Sequence, residues 1–178
     1  MHAKSISAHL KPYRMIAARR TTINHMFAAA VAPHDVYEEA RVREALLQLG
    51  NNPESELECA YCGRAAETWD HVFATVKDSK FSGFGHRLGN LLPCCKPCNS
   101  RKGNKLWHIY LSDLPMSDAE RQLRVSRISS HIERYCPMEP QVDDTATHRR
   151  LDEIRLQILQ LMADADQLAE QLRQGLRG

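Results

Sequence analysis

Cys59-Ala-Tyr-Cys62 and Cys95-Lys-Pro-Cys98 are two Cys-x-x-Cys knuckles. Thiolates bind zinc tetrahedrally, and one tight turn with two intervening residues presents two sulfurs to one ion. Cys59, Cys62, Cys95 and Cys98 together would close a four-ligand structural zinc site. Thirty-two residues separate Cys62 from Cys95, more than the roughly 15–20 of a simple ribbon, so the piece between them must be a structured insert. Cys94 offers a looser spacing to Cys98; Cys95 makes the better knuckle, which leaves Cys94 as a buried thiol and Cys136 as a core residue. A zinc scaffold needs nothing more, yet Asp70-His71 sits inside the insert and Asn99 follows the last cysteine. Hydrolysis of a phosphodiester needs a base to activate water and positive charge near the leaving oxygen. Histidine, with a pKa near ~6.5, can be that base. A carboxylate and an amide oxygen are hard ligands suited to Mg²⁺ or Mn²⁺.

These residues need elements to position them. Glu67 to Phe73 reads as a short strand, 74–89 as a long glycine-bearing loop, Asn90 to Pro93 as a second strand and Cys98 to Leu111 as a helix. Adjacent strand residues point to opposite sides, so the first strand should end at Asp70-His71 if both side chains are to serve one site. Asn99, at the helix start, comes beside Asp70 if zinc holds the helix against the strands. Upstream, the pattern predicts a helix from Thr22 to Ala32 stopped by Pro33. Another follows from Asp35 to Leu49, with Asp35 as cap, Glu38 in capping-box position and Gly50 as stop. Downstream, Ser117-Asp-Ala-Glu120 opens a helix that Pro137 and Pro140 end. In the last helix Leu151, Ile154, Ile158, Leu161, Ala165, Leu168 and Leu172 follow a heptad seam that would zip to a second copy or dock on the chain's own helices.

Glu58-Cys-x-x-Cys-Gly63, Asp70-His71, Gly89-Asn90-Leu91 and Cys95-x-x-Cys-Asn99-x-x-Lys102-Gly103 resemble the zinc-braced HNH endonucleases, nucleases of the ββα-metal fold, over residues 57–107. The resemblance implies a ββα core, and with the helices read from the pattern on either side the chain is expected to be α+β, mainly helical. A nuclease core at 57–111 would be flanked by a basic arm and two helices at 1–56 and by helices at 112–178. It implies Asp70 and Asn99 as ligands of one catalytic Mg²⁺ or Mn²⁺, His71 as general base, and Asn90 as the residue that fixes the loop orienting His71. The four knuckle cysteines would hold a structural zinc. Asn99 stands where the family often has histidine, which favours Mg²⁺ or Mn²⁺ over soft metals.

Charge agrees with a polyanionic partner. The 178-residue chain, 43% apolar, carries a net charge of only +2. Residues 1–33 nevertheless hold five Lys/Arg and no acid, and residues 71–110 hold seven against Asp78 alone. The loop residues Lys77, Lys80, Phe81, Phe84, His86 and Arg87 read as substrate-facing by charge, and Arg101, Lys102 and Lys105 as phosphate contacts. Trp69 reads as core. No run of about 18 apolar residues exists, so no membrane span is expected. Met1 to Arg20 lacks a signal-peptide core, so cytoplasm is the expected compartment. The reading is thus a metal-dependent DNA endonuclease. A zinc-dependent nucleic-acid binder without catalysis is the alternative, and an adaptor dimerising through Leu151–Leu172 is the third. The recognised bases and the biological role are not written in the motifs.

Overall fold

The computed structural model describes residues 6–7, 10–136 and 145–176; Lys4, Pro137 and Pro140 lie outside them. The chain divides into two compact units, residues 1–27 with 143–178, and residues 28–142. Among the described residues, six α-helices and two small two-stranded antiparallel sheets make it mainly helical α+β. No helix among the described residues is long and apolar enough to cross a membrane.

In residues 28–142, α2 spans Glu39–Gln48. Its cap differs from the capping box read from the sequence. Glu38 is the cap residue without a side-chain hydrogen bond. Asp35 instead uses a carboxylate oxygen to accept from the Leu88 backbone N–H at 2.9 Å. The long-range partner won over the local cap, and the helix starts four residues late.

Strand β1, Thr68–His71, is shorter than the expected Glu67–Phe73 and ends at His71. The loop after it folds further than expected. A hairpin of β2 (Val76–Lys77) and β3 (Lys80–Phe81) turns through Asp78 and Ser79, both at positive φ. A 3₁₀ turn at Leu88–Asn90 leads into β4, Leu91–Cys94, which pairs antiparallel with β1 in the register Asp70 opposite Leu92 and His71 opposite Leu91. The single helix expected over Cys98–Leu111 is two. Helix α3 covers Lys96–Lys102 and α4 Trp107–Ser112, and the chain breaks at Gly103, whose φ of 49° suits only glycine well. Helix α5, Asp118–Tyr135, begins at the expected cap, with Ser117 Oγ accepting from Glu120 N at 3.3 Å.

The core of this unit gathers Tyr61, Val72, Leu92, Trp107, Leu111 and Ile128 around the cysteines. Tyr61 and Tyr110 meet edge to face at 5.3 Å. Cys94 and Cys136 are both buried, as read from the sequence. Helix α5 buttresses the knuckles: Arg124 donates to the carbonyls of Cys59 and Ala60, and His131 contacts those of Leu88 and Leu91.

In residues 1–27 with 143–178, α1 runs Met15–Val31, longer than the expected Thr22–Ala32, and α6 runs Ala146–Gly175. Asp166 of α6 caps the start of α1, accepting from the N–H groups of Met15 at 2.7 Å and Ile16 at 3.0 Å. Of the heptad residues, Ile154, Leu161, Leu168 and Leu172 are exposed, while Leu151, Ile158 and Ala165 are half-buried.

Candidate active site

The four knuckle sulfurs converge: one ligand atom from each of Cys59, Cys62, Cys95 and Cys98 lies within 4.8 Å of all the others. The Cys62 and Cys95 sulfurs are 3.7 Å apart. A tetrahedral site with Zn–S of about 2.3 Å has an edge of about 3.8 Å, so the donor set fits a zinc-like ion. The first knuckle turns because Gly63 takes φ 73° and returns its N–H to the Cys59 carbonyl at 2.9 Å. The second forms because Cys95 is the N-cap of α3, which puts Cys98 in the first helical turn. Arg64 reaches the sulfurs of Cys62 at 3.4 Å and Cys95 at 3.6 Å, a cation beside the thiolate charge. Cys94 stands outside the cluster. Its sulfur is 3.9 Å from that of Cys59 and 3.4 Å from the Cys95 carbonyl. The neighbouring Cys94 thiol favours a Cys59 thiolate, which is brought down to about 4. The same contact, with burial, pushes Cys94 upward. Cys59 is therefore the ligand of the pair and Cys94 a retained thiol.

The four-cysteine cluster lies at the start of α3, that helix packs on β1, and its last residue, Lys102, reaches Asp70. Asp70 points inward and is 3% exposed. The Tyr61 hydroxyl donates to its Oδ2 at 2.7 Å, and Lys102 Nζ lies 3.1 Å from Oδ2 and 3.3 Å from Oδ1. Nζ also donates to the His71 carbonyl at 2.7 Å. Burial pushes the Asp70 carboxyl upward, while the Lys102 ammonium and the Tyr61 hydroxyl pull the other way. We read the carboxylate as ionised, because its partner is a fully buried ammonium that would otherwise be unpaired. Lys102 is therefore not among the phosphate-contacting residues: it is 1% exposed and spent on the strand end. Both oxygens of Asp70 being engaged, the carboxylate as arranged does not fit a divalent cation. Asn99, half-buried on α3, makes no side-chain hydrogen bond among the described residues.

His71 is half-buried on the other face of β1. Trp69, two residues earlier, shares that face and is 45% exposed, not core as read from the sequence. A two-stranded sheet covers only one of its sides, and the alternation of β1 turns Asp70 to that side. Asn90, fully buried, is the clamp of the site. Its Oδ1 accepts from Phe73 N at 2.8 Å, and its Nδ2 donates to the carbonyls of Phe73 at 3.1 Å and Gly85 at 2.9 Å. His71 Nε2 lies 3.0 Å from His86 Nδ1. Sequence reasoning placed His86 only in a basic loop; no spacing links it to His71, since the intervening hairpin sets their distance. Tyr61 was likewise missed, although its place inside a knuckle put it next to β1. Lys77, Lys80, Arg101 and Lys105 are exposed, and Arg87 is half-buried.

Compared with protein-family models, with curated proteins and with solved structures, the chain matches none. The reading of the site rests on its own geometry.

Proposed function

We propose that residues 57–107 act as a zinc-braced DNA endonuclease of the HNH kind. The observation that carries this reading is the position of His71: at the end of a strand, half-buried at the surface, beside a four-cysteine cluster that locks the neighbouring helix. A histidine so held can take a proton from water at neutral pH. The oxygen of that water forms a bond to phosphorus, the bond from phosphorus to the 3′-oxygen breaks, and the departing oxygen takes a proton from solvent. The products are a 5′-phosphate and a 3′-hydroxyl. The four cysteines would hold zinc as a scaffold, with no part in the bond change. The resemblance calls for Mg²⁺ or Mn²⁺ at Asp70 and Asn99; with Asp70 committed to Lys102 and Tyr61, no step is derived through that ion. Exposed Trp69, on the face of His71, offers a ring for base stacking.

Supercoiled plasmid incubated with the protein, with Mg²⁺ or Mn²⁺ and separately with EDTA, tests the reading. Nicking that disappears in His71→Ala, with zinc content and DNA binding retained, is the expected result. Undiminished cleavage by that variant would refute the mechanism. The closed Asp70–Lys102 pair favours one second reading, a zinc-dependent nucleic-acid binder without catalysis. Binding without any cleavage under every metal condition would establish it.

A further inference from the structure

We propose that the hollow between residues 35–42 and residues 86–91 takes one unpaired nucleobase of the strand bound at His71. The inference rests on the reading of DNA as the substrate. The hollow has a volume of about 140 Å³, the scale of a single base. Val42, Leu88 and Leu91, all half-buried, line it with apolar surface. Val36 and Tyr37 line it from the solvent side, 77% and 76% exposed. Two contacts place it beside the site. His86 lines the hollow, and its Nδ1 is 3.0 Å from His71 Nε2. Leu91 lines it too and stands directly opposite His71 in the β1–β4 pair, where opposed side chains share a face of the sheet.

The polar groups of the hollow select a base over the backbone. Asp35 and Glu38 bring two carboxylates against one guanidinium, Arg41, which lies 3.9 Å from Asp35. A phosphate would meet more negative than positive charge there. A base is neutral, and its faces stack on an aromatic ring such as that of Tyr37. Cytosine also presents an N4 amino group that a carboxylate accepts, whereas thymine has no amino group. Asp35 is already engaged by Arg41 and by Leu88 N, while Glu38, the N-cap residue of α2, spends no side-chain hydrogen bond on the cap. Glu38 is therefore the acceptor for the amino group. In a duplex, neighbouring bases cover both faces of each base, so the occupant comes from an unpaired stretch or is turned out of the helix. The walls are set in advance, as in most ligand sites. His86 N donates to the Pro33 carbonyl at 2.8 Å, and the His86 carbonyl accepts from Asp35 N at 3.4 Å. At Gly85 the Pro33 carbonyl comes so near that a Cβ would lie 2.1 Å from it, so only glycine lets the two segments meet.

The test measures binding by the full chain in fluorescence anisotropy, without added Mg²⁺ or Mn²⁺ so that no strand is cut. The probes, of equal length, are single-stranded oligo-dC, single-stranded oligo-dT, a duplex and an abasic deoxyribose-phosphate strand. Oligo-dC should bind more tightly than oligo-dT, and both more tightly than the abasic strand. Tyr37→Ala, a change at an exposed residue, should weaken oligo-dC roughly five- to a hundredfold, the range for loss of one base–aromatic stack. It should leave the duplex and the abasic strand unmoved. Glu38→Ala should make the affinities for oligo-dC and oligo-dT equal. A strand carrying 5-iodouracil, irradiated in the complex, should crosslink to Tyr37. The proposal is overturned if Tyr37→Ala leaves oligo-dC binding unchanged or weakens the abasic strand equally, if Glu38→Ala does not move the dC-to-dT ratio, or if the crosslinks fall only on Trp69 or on residues 74–84. Plasmid nicking is scored separately. The expected binding responses without nicking under any metal condition keep the base site and refute the nuclease. Nicking by a chain whose binding ignores Tyr37→Ala refutes the base site alone, and a chain that binds none of the strands refutes both.

Discussion

Among the described residues, each unit of the chain buries one Lys or Arg, and the settings differ. In residues 28–142, Lys102 has a side-chain exposure of 1% and its carboxylate partner lies 32 residues away on a strand. In the helical pair of residues 1–27 and 143–178, Arg155 is 6% exposed and pairs with Asp152 three residues earlier on its own helix, reaching across only to the amide of Asn24 at 2.8 Å. Lys102 is satisfied only when strand, knuckle and helix are all in place. Arg155 finds half of its partners wherever α6 is helical. The first arrangement couples elements; the second merely tolerates them side by side.

The comparison breaks first at the metal. Cys95→Ser removes one of four convergent ligands. Structural zinc in finger peptides is worth roughly 10–16 kcal/mol, against roughly 5–15 kcal/mol of total stability for a domain. Hydrogen exchange should show residues 28–142 unfolded while α6 stays protected. Equal loss of protection in both units would overturn this expectation. Asp70→Ala comes next. It strands a buried ammonium and should cost about 3–5 kcal/mol in urea unfolding, with much of the loss recovered by Asp70→Asn combined with Lys102→Met.

Acid sharpens the contrast. His131 is buried, its Nδ1 without a hydrogen-bond partner among the described residues. Burial holds it below its usual 6.5. The unfolded chain therefore binds the extra proton first, and the stability of residues 28–142 is whole above that value and falls as the pH drops below it. Asp166, accepting from the N–H groups of Ile16 and Met15, is held below its usual 3.8. Its contribution is present above that value and lost only as the pH falls through the lower folded one. Acidification from neutral should weaken the first unit well before the second, and simultaneous weakening in a pH series would count against both assignments. The smallest effect on folding is expected at Leu168, 60% exposed on α6. Leu168→Glu should change the stability of a single chain by under about 0.5 kcal/mol. If the open leucine row joins two copies, the same change abolishes self-association in sedimentation.

Cysteine spacing made the metal cluster legible because two short turns carry their own geometry. The end of β1 at His71 was legible, but the alternation runs to the last residue, so Asp70 and His71 stay on opposite faces and do not share one site as expected. Ser117 was legible because its cap partner is three residues away. What stayed hidden depends on contacts between distant residues. Asp35 left its local cap for Leu88, Lys102 turned inward to Asp70, and His86 met His71 across a hairpin whose positive-φ turn the sequence did not announce. Trp69 came out exposed because strand alternation turned it away from the single covered side of the sheet. The heptad on α6 was visible as a pattern, but a pattern does not say which of its rows a neighbour covers.

Asn90 staples residue 73 to residue 85 with one side chain, so the eleven residues between them hang from a closed base. Such a segment is a cassette. Its length, charge and turn can be exchanged while the two histidines keep their separation. The segment can therefore change without rebuilding its base, and an engineer could replace residues 75–82 while the Asn90 clamp keeps both ends in place.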